Sequence, residues 1–442
     1  MNVPKVVLMP KVLMICYFFP PLGSVQVLRA VKFAKYLPHY GWEPVILGVK
    51  DVLHYYQDSD ILQEISPDLH IYRTESFDPF RLWCRIKKTK PHTSQKTANQ
   101  KFQWIRDNLN GLNRWFSLPD SRFGWYPFAV KEGLRIIKNE NIDVIYSSSP
   151  PNTCHLVARE LHRKTGIPWI SDFKDLWTDY PHLHPTPLHR NIMRNWEKKI
   201  LNESNQVITV NSGITDYFLK QYPQFTEKID TLVHGVDPDE YVDISPNFSP
   251  QFTIIHTGSF FEPRQIPDYF LKALKDWLVE NPSLENQINV VFAGSLNSRH
   301  HELIIKLGLT SIIQERKSLP RKEAIQLQCK ADLLLLLVGK GKGSQHVVPA
   351  KTWEYLASGR PILCMAPEGV TRDLVNKYES GWIADPDDCQ TIKRILADAF
   401  NQFKREHRHE LKIRLNNEYN RKYVTGVLAD KMSKLIKKNP ST

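Results

Sequence analysis

No part of this chain approaches the roughly 20 consecutive apolar residues that a membrane-spanning helix needs, so a helical channel or carrier is not expected. Cysteine is scarce. The six residues, at positions 16, 84, 154, 329, 364 and 389, are far apart and form no CxxC or His/Cys pairing. That spacing argues against zinc or a redox dithiol and for reduced, buried thiols in cytoplasm. Asp/His clusters are missing as well, and no dedicated metal site is expected. No GxGxxG follows a strand, which argues against a dinucleotide cofactor. The loop Gly339-Lys340-Gly341-Lys342-Gly343-Ser344 is glycine-rich and basic, yet it lacks the spacing and the GK[ST] ending of a P-loop. The opening VVLMPKVLMICYFFPP is broken by Pro10 and Lys11 and has no small-residue cleavage site, so no secretory signal is expected.

What is present fits a globular protein of more than one core. With 442 residues, the length prior favours two or three domains. Hydrophobic residues make up 41% and charged residues 24%, the balance of a soluble protein. The net charge of +12 points to anionic partners: nucleic acid, a membrane surface or a nucleotide-sugar. Between Arg81 and Arg106 there are eight Lys/Arg and no acid, interleaved with Trp83, Phe102 and Trp104. This is no recognisable nucleic-acid motif. It reads either as a face for an anionic membrane or as a solvated insertion.

Two halves alternate strands with helices. Lys11–Tyr17 has the length and apolarity of a buried parallel strand. It runs into Pro20-Pro21-Leu22-Gly23-Ser24, then a helix from about Val25 to Tyr40 that Gly41 stops, then the strand Glu43–Gly48. That is a βαβ unit. Further along come the strands Ile142–Ser148 and Pro168–Ser171, the latter followed by Asp172-Phe173-Lys174-Asp175-Leu176-Trp177. Two carboxylates three apart, past a strand's C-terminal end, stand where α/β folds place ligands. The alternative is structural: Asp175 caps a turn and Asp172 pairs with Lys174 or Arg122. His234-Gly235-Val236-Asp237 marks a hinge.

In the second half, strand Phe252–Thr257 ends in Gly258-Ser259, whose amides can approach a phosphate closely. Arg264, shortly before the next helix, can fork onto phosphate oxygens or stand as a surface arginine. A second strand and glycine turn is Asn289–Ser295, with Gly294 at the turn; Ile312-Ile313 and Leu333–Val338 read as further strands. The most informative stretch is VVPAKTWEYLASGRPILCMAPEG, Val347 to Gly369. Its helix carries Lys351 in the first turn and Glu354 beyond it. A helix N-terminus and a lysine suit a phosphate, and the glutamate can accept from a ribose. An amphipathic helix with solvated Lys and Glu satisfies the same pattern.

PAKxxEYLAxGRPIL resembles the donor-nucleotide segment of family-4 glycosyltransferases, retaining enzymes of the GT-B fold, and most of all their bacterial surface-polysaccharide branch. The resemblance implies that Glu354 binds the ribose of the nucleotide. The family's second Glu, eight positions earlier and near the sugar, is here His346. The Pro20 turn is similar to the family's PPxGG loop with Ser24 as its second glycine, which places Gly23 near the transferred sugar. Asp172-Phe173-Lys174-Asp175-Leu176-Trp177 resembles DxRDxW with lysine for arginine. It implies that Asp172 or Asp175 contacts the acceptor hydroxyl or the donor sugar. HGVD resembles the family's NGVD, and Arg264 and Lys351 match the cations that clamp the donor diphosphate, alongside Gly258, Ser259 and Gly294.

The implied architecture is α/β: two Rossmann-like domains facing across a cleft, residues 1–235 for the acceptor (with a basic insertion at about 81–110) and 236–415 for the donor. A helix in 416–442 would cross back to the first domain, with Tyr423, Val427, Leu428 and Leu435 as its apolar positions. The implied partners are a nucleotide-sugar donor, a sugar or lipid-linked acceptor and an anionic membrane surface, with no nucleic acid, no cofactor and no metal. The implied location is the cytoplasm, at the inner face of the membrane. Two rival readings remain: a sugar-nucleotide epimerase of the same fold, and a non-catalytic basic binding protein.

Overall fold

The computed structural model describes residues 9–22, 25–50, 61, 64–77, 118–180, 185–242, 244, 248–260, 266–316, 319–405 and 416–438. The basic insertion, Gly23 and Arg264 lie outside the described residues. Two compact units emerge. The first comprises Met1–Val210, Thr215–Leu232 and Val424–Thr442, the second Asn211–Ile214 and Val233–Tyr423. Among the described residues no helix is long and apolar enough to cross a membrane.

The first unit is built on seven strands, β1 (Lys11–Ile15), β2 (Glu43–Val49), β3 (His70–Thr74), β4 (Val144–Ser149), β5 (Trp169–Phe173), β6 (Gln206–Thr209) and β7 (Ile229–Thr231). Their order is β3-β2-β1-β4-β5-β6-β7, and every pairing is parallel. Between them run α1 (Val25–Tyr36), α2 (Tyr126–Glu140), α3 (Thr153–Thr165), α4 (Pro187–Glu203) and α5 (Ser212–Gln221). Helix α1 tightens into a 3₁₀ turn, Leu37–Tyr40, and stops at Gly41, whose φ of 74° only glycine adopts at no cost.

The second unit has six strands, β8 (Phe252–Thr257), β9 (Ile288–Ala293), β10 (Ile313–Arg316), β11 (Leu333–Leu337), β12 (Ile362–Met365) and β13 (Gly381–Ala384). They are ordered β10-β9-β8-β11-β12-β13, again all parallel. Its helices are α6 (Asp268–Glu280), α7 (Ser298–Lys306), α8 (Arg321–Cys329), α9 (Ala350–Ser358), α10 (Val370–Lys377) and α11 (Cys389–Arg405). The run Leu333–Leu337 is buried throughout, as a parallel strand covered on both faces must be. Alternation along the strands sorts the core in two. Phe252, Ile254, Val290, Phe292, Leu335 and Leu363 face one layer, and Ile255, Val291, Leu334, Leu336 and Cys364 the other. The expected pair of Rossmann-like halves is therefore what forms.

The chain ends in α12 (Arg421–Lys438). Its buried stripe is Val424, Leu428, Ala429 and Met432. Tyr423, expected in that stripe, is 53% exposed, and Val427 and Leu435 are only half-buried. The expected stripe was off by one position at its start: the helix begins at Arg421, and its i, i+4 row descends from Val424. Within the first unit Trp42 Nε1 donates to Ser433 Oγ at 3.3 Å, and Gly426 is packed against the Tyr40 ring.

Candidate functional site

The β-strand order of the second unit reverses between β8 and β11, the topological switch point at whose C-terminal edge open α/β sheets bind ligands. Strand β8 ends there in Thr257, Gly258 and Ser259. Gly258 has φ of 100° and its N–H donates to Ala293 O at 2.7 Å. A Cβ on Gly294 would collide with the Gly258 carbonyl, so two glycine turns lie in direct contact. Gly258 and Ser259 are both open to solvent, while the Gly258 and Gly294 N–H groups are already given to Ala293 O and Arg316 O.

Lysine 351 stands over this turn. It sits in the first turn of α9, and a Cβ on Gly258 would come within 2.9 Å of its Nζ. The ammonium lies 3.1 Å from His256 Nε2, while His256 Nδ1 lies 2.8 Å from Leu335 O. A carbonyl can only accept, so Nδ1 carries the proton and Nε2 is left to accept from Lys351. Burial and the neighbouring lysine push the His256 pKa well below its usual value, which keeps the ring neutral and the acceptor available. The imidazole is stacked on Phe260, centroids 4.5 Å apart. Burial also lowers the Lys351 pKa to about 8, against an opposing pull from Glu354. A desolvated ammonium with one neutral partner is a charge in search of an anion.

Three residues along α9, on the same face, is Glu354. Its side chain is 13% exposed, and both oxygens are engaged: Arg321 Nη1 donates to Oε1 at 2.7 Å and Gln328 Nε2 to Oε2 at 2.8 Å. Arg321 also forks onto Glu240 at 2.7 and 2.6 Å. Gln328 reaches Thr257 Oγ1 at 3.0 Å, and the Thr257 N–H donates to Tyr355 OH at 2.9 Å. Gly258, Ser259, Gly294, Lys351 and Glu354 are thus gathered around the end of β8. His256, Arg321, Gln328 and Tyr355 join them, although their sequence carried no sign of it except one: Arg321 and Gln328 are seven apart, one face of α8. His346 lies in the 3₁₀ turn Ser344–His346 just before α9, its Cα close beside Gly213.

In the first unit the two aspartates divide. Asp172, at the end of β5, is wholly buried. Its expected alternative partners, Lys174 or Arg122, are replaced by Arg29, which donates from Nε at 2.8 Å and Nη2 at 3.2 Å. Tyr146 and Ser148 also donate to it, and Arg29 holds Leu232 O at 2.8 Å. Arg122 instead lies over the Tyr17 ring, and Lys174 donates to Gln26 O at 2.9 Å. Asp175 is half-buried, and burial raises its carboxyl pKa against the pull of Lys174. A group of possible metal ligands, Glu43, His70 and Glu140, surrounds Lys11, whose Nζ is 2.9 Å from Glu43 and 3.1 Å from Glu140. Those carboxylates already have their cation.

Residues 91–240 match the family model described as Glycosyltransferase Family 4, and residues 239–430 the one described as Glycosyl transferases group 1. No curated protein matches the chain. Among solved structures it is similar to a glycosyltransferase from Rickettsia africae ESF-5, at 14% identity over 97% of this chain and 99% of that one, with a TM-score of 0.64. The lipopolysaccharide outer core galactosyltransferase WaaB in its apo form gives 14% identity, 96% and 99% coverage, and 0.56. A UDP-N-acetylglucosamine 2-epimerase gives 12%, 98% and 97%, and 0.54. Likeness at these identities speaks for the fold, which is GT-B.

Proposed function

We infer that this chain, whose two halves match the two glycosyltransferase family models, moves a sugar from a nucleoside-diphosphate donor held by its second unit to an acceptor hydroxyl, with retention of configuration. One observation carries this reading: the half-desolvated Lys351 ammonium poised over the Gly258 turn, with Glu354 one helical turn away. Negative charge grows on the diphosphate as the sugar leaves. Lys351, the Ser259 amide and the first turn of α9 supply fixed positive potential at that point, which lowers the barrier. Glu354 accepts from the ribose hydroxyls, and Gly294 and His346 stand toward the sugar; the family resemblance assigns Arg264 as a second cation and Gly23 to the transferred sugar. Asp175 belongs to the acceptor side, while Asp172, wholly buried against Arg29, anchors the sheet edge. Because these side chains provide the charge, EDTA is expected to leave turnover unchanged.

The acceptor is read as a growing surface polysaccharide or glycolipid, reached at a membrane surface through the basic run 81–106. Liposome flotation unaffected by neutralising Lys87, Lys88 and Lys90 would count against that. The decisive test of the core reading is thermal shift against UDP-, GDP-, ADP- and CMP-sugars, followed by product analysis with and without acceptor. A folded-state ligand raises the melting temperature. Stabilisation by one nucleotide-sugar and transfer that needs an acceptor support the reading. Conversion of the donor sugar without any acceptor makes the protein an epimerase, and no stabilisation by any donor defeats the assignment.

A further inference from the structure

Two polar side chains in the second unit, one buried and one half-buried, do nothing for a hydrophobic core. Gln328 is 1% exposed, its amide nitrogen is fully used, and its carbonyl oxygen Oε1 has no hydrogen-bond partner. A buried amide with an orphaned oxygen costs stability that leucine or methionine in that place would not. Arg321 is held between two carboxylates, a desolvated arrangement that apolar residues of similar size commonly match or better. Both converge on one group, the carboxylate of Glu354, each on a different oxygen.

The geometry assigns Arg321 and Gln328 as positioning residues that lock the Glu354 carboxylate in the one orientation able to read a vicinal diol. The assignment rests on the reading of Glu354 as the ribose ligand. Each carboxylate oxygen has two lone pairs. One pair on Oε1 takes the Arg321 N–H and one on Oε2 takes the Gln328 N–H, so one remains on each oxygen. Each of these two remaining pairs can accept from one of two adjacent hydroxyls. Arg321 cannot swing, because Glu240 holds its other edge in a two-point grip. Gln328 cannot flip, because only its NH₂ can meet a carboxylate, and Thr257 at the end of β8 takes its second proton. Pinning Gln328 to Thr257 also ties the ribose reader to the strand that carries the Gly258 turn, so diol and diphosphate are gauged from one origin.

The test is a discrimination ratio. The full chain, Gln328→Met (similar length, no donor) and Arg321→Lys (charge kept, fork lost) are titrated by calorimetry. The ligands are whichever of UDP, GDP, ADP or CDP the unaltered chain binds, its 2′-deoxy form, and inorganic pyrophosphate. The unaltered chain is expected to prefer the ribonucleotide by about tenfold, the effect of one hydrogen bond to a charged acceptor. In both variants that preference shrinks to about twofold or less, while pyrophosphate affinity stays as it was. A preference kept in full by either folded variant overturns the assignment. So does an equal loss for all three ligands with a lower melting temperature, which is what purely structural residues would give. If the unaltered chain binds pyrophosphate and nucleotide without distinguishing ribose from deoxyribose, Glu354 itself loses its role. If it binds no nucleotide, the reading under Proposed function falls first.

Discussion

The two units use the same pair of groups, a carboxylate and a guanidinium, at the C-terminal edge of a parallel sheet, to opposite ends. In the first unit Asp172 and Arg29 are sealed, at 0% and 1% exposed, with every strong donor turned inward and Leu232 O included in the grip. In the second, Glu354 and Arg321 keep 13% and 15% of their side chains open, and a lysine with a lowered pKa stands on the same helix. Sealing makes an ion pair into a fastener that joins β5, β4, α1 and the end of β7. Leaving one edge open suits the diol-reading role proposed for it. The distinction lies in solvent access, not in residue type, and no motif reports it.

The sharpest way to break the comparison is Arg29→Met. It strands Asp172 in the core and is expected to cost about 3 to 5 kcal/mol of stability by urea unfolding. Nucleotide affinity of the folded fraction should not change, and a loss of affinity without a loss of stability would merge the two sites. Next comes Lys351→Ala. Removing a charge aimed at a leaving group is expected to lower turnover by about a hundredfold or more, measured as kcat at saturating donor, with stability at neutral pH unchanged or slightly higher. Glu354→Ala should act mainly on binding, raising the donor KM by about ten- to a hundredfold, the span of a lost charged hydrogen bond or two. A selective fall in kcat would reverse the roles of the two residues.

A smaller effect lies in pH. Lys351 in the free protein gives up its proton near pH 8, well below the 10.5 of an unfolded chain. A bound diphosphate favours the charged form. Nucleotide affinity is therefore full below about pH 8 and falls above it, by at most about tenfold per unit. Stability of the unliganded protein moves the other way: between about pH 8 and 10.5 the unfolded chain holds the extra proton, so stability rises with pH. Lys351→Arg, always charged, should flatten the affinity curve; a curve of unchanged slope would place the titration elsewhere.

The fold was legible because parallel strands buried on both faces write themselves as short apolar runs, as Leu333–Leu337 does, and because Gly41 and Gly359 end helices in the left-handed conformation. The Lys351–Glu354 spacing was legible because both lie on one helix. What escaped was whatever depends on strand order. His256 meets Lys351 across 95 positions, and Arg29 meets Asp172 across 143. Neither pairing exists until the sheet decides which strands are neighbours. Arg321 and Gln328 looked like the polar face of an ordinary helix, because nothing in α8 says that the partner is a carboxylate on α9.

A lysine titrating near pH 8 is also a chemical address. At pH 7 roughly a tenth of its amine is unprotonated, against roughly three in ten thousand for an ordinary lysine. In a chain with so many basic residues, a sparing dose of an acylating reagent marks this nitrogen ahead of the ordinary surface lysines, and an occupied diphosphate site would shield it. Mass spectrometry of that single peptide then reads occupancy directly, with no need to know which sugar the enzyme carries.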